Sequence, residues 1–141
     1  MGSVHMWFWE NPYVQTVSYF MVAGLAIVLF LTIFEMVTKY NDWEEIKKGN
    51  LAVAMATGGK VFGVANIFRF SIAHHDTILE SIVWSGVGFL LLLFAYFIFE
   101  FMTPRFHVDQ EIAKGNKAVG FLALIISISF SYVIGASITV M

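Results

Sequence analysis

Four apolar stretches, each long enough to cross a bilayer, limit what this chain can fold into more than any other feature. A helix needs about 20 predominantly apolar residues to cross the hydrocarbon core. The stretches run over about 13–37, 50–73, 77–102 and 116–140. The second is the most polar, with Gly58, Gly59, Lys60, Asn66 and Arg69 inside it. Runs of this length without alternation do not match barrel strands of about ten residues. Charged residues form only 13% of the 141, against about a quarter in soluble domains, so lipid replaces water as the solvent over much of the surface. The sequence predicts an all-α polytopic membrane protein with four transmembrane helices.

A phrase occurs twice. IFEMVTKYNDWEEIKKGNLAV spans 33–53, and IFEFMTPRFHVDQEIAKGNKAV spans 98–119. Each copy closes one span, crosses a loop and opens the next, so the repeating unit is a helical hairpin. A unit with an even number of crossings keeps its orientation when copied, which relates the copies by an axis along the membrane normal. The units are 6–76 and 77–141, and residues 1–5 (MGSVH) read as a cloning scar. The positive-inside bias places the repeat loops in the cytoplasm and both termini outside. Lys39, Lys47, Lys48, Arg105, Lys114 and Lys117 flank those loops, and Arg69 alone lies opposite. Trp7, Trp9 and Tyr13 fit an outer aromatic belt, and Tyr40 and Trp43 an inner one.

The polar residues within this apolar frame are the candidate functional positions. Lys60 lies about ten residues into the second span, or roughly 15 Å at helical rise, close to the bilayer midplane. An ionisable residue at that depth faces protein or water and marks function by default; the alternative is snorkelling, or a second span that starts later and shifts Lys60 toward the cytoplasm. Glu35 and Glu100 close the first and third spans, either as interfacial acids or facing a cavity. Asp42 with Glu45 has capping-box spacing, which does not explain why Glu45 and Glu111 both occur. Asn50 and Asn116 follow Gly49 and Gly115, and can cap the next helix or bond across helices. Gly59 and Gly63 on the second span, and Ser127, Ser131 and Gly135 on the fourth, form small-residue stripes suited to close helix packing. His74, His75, Asp76 and Glu80 are weak metal candidates, equally explained by a solvated turn. There is no cysteine, and thus no disulfide or thiolate chemistry.

Two hairpins carrying Glu45-Ile46 with Gly49-Asn50, and Glu111-Ile112 with Gly115-Asn116, resemble the YjfL-like bacterial inner-membrane proteins. Their paired two-helix domain is catalogued as domain of unknown function 350 (DUF350). The resemblance covers nearly the whole chain from about Tyr13. It implies a bacterial inner membrane, supplies no catalytic residues, and does not place Lys60 in the family pattern.

Read by itself, the chain is expected to be a self-associating structural or scaffolding component, with a lipid bilayer around it and a cytoplasmic protein partner. The alternative is an ion- or proton-conducting channel or small transporter built on Lys60, the repeat acids and the Asn pair. No set of groups suggests a reacting centre, so an enzyme is not expected. No cofactor is called for, and a net charge of −2 suggests no nucleic-acid partner.

Overall fold

The structure, a computed structural model, describes residues 8–38, 40–102 and 107–140. The proposed scar, Trp7, Lys39 and Arg105 lie outside the described residues. Among the described residues the main helices are, in order, α1 (Pro12–Val37), α2 (Asp42–Lys47), α3 (Leu51–His74), α4 (Ile78–Met102), α5 (Val108–Ala113) and α6 (Lys117–Ile138). Helices α1, α3, α4 and α6 are long and apolar enough to cross a membrane, and match the four expected spans closely. The short helices α2 and α5 sit in the two repeat loops.

The arrangement sorts helices by polarity. In lipid there is no hydrophobic drive between helices, so polar and small faces turn inward and apolar faces outward. Helix α3 has the lowest mean hydropathy of the four, 1.5, and 61% of its most apolar window is buried. Helix α1 has the highest, 2.5, and only 6% is buried. Tyr13, Phe20 and Leu25 of α1 stand exposed, as a lipid-facing surface requires.

Helices α3 and α6 form the tightest contact. A Cβ on Gly59 would lie 2.8 Å from Leu124 Cα, and one on Gly120 2.6 Å from the Ala52 carbonyl oxygen. A Cβ on Gly135 would strike the Phe70 ring. These backbones approach to distances that only glycine permits. The stripes of Gly59, Gly63, Ser127, Ser131 and Gly135 are thus used within one chain. Asn66 Nδ2 donates to Ser131 Oγ across the same contact at 3.0 Å.

The repeated Glu-Ile-x-Lys-Gly-Asn has a local explanation. Gly49 and Gly115 adopt φ of +87° and +89°, the left-handed region glycine favours. The N–H of Gly49 donates to Ile46 O and that of Asn50 to Glu45 O; Gly115 and Asn116 do the same to Ile112 O and Glu111 O. This is the Schellman ending of a helix, and it occurs at both turns. Asn50 Oδ1 then caps α3 at Val53 N, and Asn116 Oδ1 caps α6 at Val119 N. Each Asn amide donates in turn to Glu45 or Glu111. Both glutamates occur because each fixes the cap that starts the next span. The two turns also meet: Asn50 Nδ2 donates to Ala113 O at 3.0 Å.

One expected cap is corrected. Asn41, not Asp42, caps α2, its side chain accepting from Glu44 N at 3.1 Å. Asp42 is the first helical residue and its carboxylate turns into the bundle.

Candidate functional site

Lys60 lies nine residues into α3, about 13 Å along the axis from Leu51. Side chains on a helix lean toward its N-terminus, so Lys60 reaches toward the repeat turns. It is 5% exposed. Its Nζ lies 5.5 Å from the Phe34 ring, 5.6 Å from Tyr40 and 5.3 Å from Tyr96. Phe34 stands in the last turn of α1, and Tyr40 lies beyond that helix. The ammonium is therefore in the loop-side half of the bundle. The side chain extends back along its own helix toward the turns. It meets protein, not lipid.

Asp42 lines the larger of the adjoining cavities with Lys60, and Asp109 accepts from Tyr96, whose ring lies 5.3 Å from Lys60 Nζ; among the described residues neither forms an ion pair with it. The first is 5% exposed and the second 3%. Thr57, one turn before Lys60, donates its hydroxyl to Asp42 Oδ2 at 3.1 Å. The Tyr96 hydroxyl donates to Asp109 Oδ1. Burial, and then the charges of Asp42, Asp109 and Glu100, push the Tyr40 phenol well above its ordinary range, so it remains an O–H donor. Three buried polar atoms here make no hydrogen bond among the described residues: Lys60 Nζ, Asp42 Oδ1 and the Tyr40 hydroxyl. Buried polar groups in folded proteins are nearly always satisfied, so such a cluster suits a small polar guest.

Two cavities adjoin Lys60. One, of about 30 Å³, is lined by Tyr40, Tyr96, Ser127 and apolar neighbours. The other, of about 290 Å³, lies between α1, α2 and α3. Glu35, Asp42, Thr57 and Lys60 line it, and its rim reaches the surface at Val28 and Trp43. A buried charge is costly without a partner or water, and the larger cavity leaves space beside Lys60 for a polar guest.

The family described as Domain of Unknown Function (DUF350) matches residues 8–138. The chain belongs to that family. It is 57% identical over 131 residues to the UPF0719 transmembrane protein YshE of Bacillus subtilis (strain 168), covering 93% of this chain and 98% of that protein. It is 23% identical over 103 residues to the UPF0719 inner membrane protein YjfL of Escherichia coli (strain K12), covering 73% and 76% respectively. No solved structure matches.

Within this DUF350 chain the expected site residues divide. Lys60 and Glu35 share the larger cavity, and Glu100 lies close enough to act on Tyr40. Asn50, Asn116, Glu45 and Glu111 instead belong to the turns, where Glu45 pairs with Lys48 at 3.6 Å and Glu111 with Lys114 at 4.0 Å. Gly59, Gly63, Ser127, Ser131 and Gly135 lie along the α3–α6 contact, with Ser127 also lining the smaller cavity.

The residues at the end opposite the repeat turns show no metal-ligand cluster: among the described residues no three His, Cys, Asp or Glu converge. His74 Nδ1 faces Phe70 O, His75 stacks on Trp84, Glu80 accepts from Asp76 N, and Thr77 caps α4 through Glu80 N.

Sequence reasoning missed Asp42, Asp109, Tyr40, Tyr96 and Thr57. One signal was present: both repeat loops carry an Asp, and a buried Lys requires an acid. The one-residue shift between the copies obscured it.

Proposed function

We propose that this integral membrane protein provides a proton path through the inner membrane, with Lys60, Asp42 and Asp109 as its central site. The observation that carries this reading is a buried lysine that shares a cavity reaching the surface with Asp42 and Glu35, and packs on the Tyr96 ring whose hydroxyl donates to Asp109. Intramembrane ionisable residues of this kind mark proton relays and ion pathways. Besides Asp42, Glu35 lines the same cavity as Lys60. Thr57, Tyr96 and Tyr40 supply hydroxyls around it. The Lys and Arg bias puts the repeat loops, and so the cavity, on the cytoplasmic side. The matching Schellman–Asn turns support a tandem copy of one hairpin, 6–76 and 77–141. A self-associating scaffold would need a face for a second copy. The small-residue stripes are spent within the chain, which is why the polar centre decides the proposal.

The test is reconstitution into liposomes with an entrapped pH-sensitive dye and a potassium diffusion potential. Wild-type vesicles should acidify or alkalise faster than empty ones, and Lys60→Met should lose that excess while inserting normally. Wild-type vesicles no more proton-permeable than empty ones, or a Lys60→Met variant as fast as wild type, would overturn the proposal.

A further inference from the structure

We infer that Asn66, Ser131 and Arg69 form the outer barrier of this path, so that the Lys60 centre is reached freely only from the turn end. The inference rests on the proton-path reading and adds what limits it.

Asn66 lies six residues beyond Lys60 on α3, about 9 Å farther along the axis. It is 6% exposed, and Ser131 opposite is fully buried. Asn66 Nδ2 donates to Ser131 Oγ at 3.0 Å, and Ser131 Oγ donates to Ile128 O at 2.6 Å. Arg69 Nη1 donates to Asn66 Oδ1 at 3.2 Å, and its guanidinium lies over the Phe70 ring. An amide, a hydroxyl spent on a carbonyl, and a permanently charged guanidinium cannot relay a proton by changing protonation state.

The surroundings close the remaining space. A Cβ on Gly63 would meet Leu92, Ser127 O and Ser131 at 3.2–3.6 Å. Ile67, Phe68, Phe89 and Ile134 belong to the apolar core on this side of Lys60, with the buried Ser71, Ser81 and Ser85 also in this half of the bundle. The buried Lys60 head group, which makes no hydrogen bond among the described residues, opens instead onto the two cavities on the turn side. Arg69 adds a fixed positive charge toward the outer end, which repels an entering cation.

The experiment compares wild type, Asn66→Ala, Ser131→Ala, Arg69→Gln and Asn66→Ala with Lys60→Met in the same dye-loaded liposomes. Asn66→Ala should raise proton flux about tenfold, the factor that about 1.4 kcal/mol of barrier carries. Ser131→Ala and Arg69→Gln should raise it less, and Lys60→Met should cancel the gain. Ser131→Ala keeps the Asn side chain, so it serves should Asn66→Ala fail to fold. If wild type conducts through Lys60 while neither Asn66→Ala nor Ser131→Ala exceeds it, the barrier is wrong and the path stands. A gain that survives Lys60→Met is a leak elsewhere and also overturns the barrier. If none of the variants conducts, both readings fall together.

Discussion

Gly120→Ala tests the packing that holds the site in place. An added Cβ would lie 2.6 Å from Ala52 O and 2.7 Å from Ala52 Cα. Both are backbone atoms of a helix, so no rotamer change can relieve them. Ordinary contact begins at 3.4 Å, so α3 and α6 must separate by about 0.8 Å at this crossing. The Asn50–Ala113 bond beside it would lengthen from 3.0 Å to about 3.8 Å, beyond hydrogen-bonding range. Overpacking of this kind costs about 1–3 kcal/mol, and the lost bond about 1 kcal/mol more. The expected total is roughly 2–4 kcal/mol. Gly24→Ala is the control, because a Cβ there meets nothing within 4 Å; it should match wild type or be more stable by up to about 1 kcal/mol, as Gly→Ala is in a helix interior. Tryptophan fluorescence during SDS titration of the micelle-bound protein reads both. A Gly120→Ala protein unfolding at the wild-type SDS fraction, or alongside Gly24→Ala, would refute the close backbone crossing.

The remaining expectations concern the turns and Tyr40. Asn50→Ala should cost about 2 kcal/mol and Asn116→Ala about 1 kcal/mol in the same titration, since both cap a helix but Asn50 also donates to Ala113 O; equal losses would remove the cross-turn bond from the account. Because burial raises the folded-state pKa of Tyr40, the stability from its neutral hydroxyl is fully present below about pH 10. It is lost as pH rises further, because the unfolded chain ionises there first. Tyr40→Phe should therefore flatten the alkaline decline of the SDS midpoint, and an unchanged decline would show that Tyr40 is not buried among those acids.

Much of the fold was legible before any coordinates. The four spans could be read because apolar length is a local property. The Gly-Asn turns could be read as caps because left-handed glycine and asparagine caps act within a few residues. Lys60 stood out because charge in an apolar run is costly wherever the helix ends up. Its partners were not legible. Asp42 and Asp109 look like loop acids, and only the folding back of α2 and α5 brings them to Lys60. Where its charge lies also needed the structure: residue count places a Cα, while a lysine side chain carries its charge several ångströms toward the helix N-terminus.

By itself the sequence determined a membrane-spanning, all-helical chain with two similar turns, since hydropathy and cap chemistry are written in neighbouring residues. The tertiary structure alone decided that α3 and α6 pair through their glycines, that α1 stays at the edge, and that two loop aspartates are buried near Lys60. Those choices depend on shape and charge meeting across helices. Lipid solvates every apolar face alike and so leaves polar and small residues to select the partners.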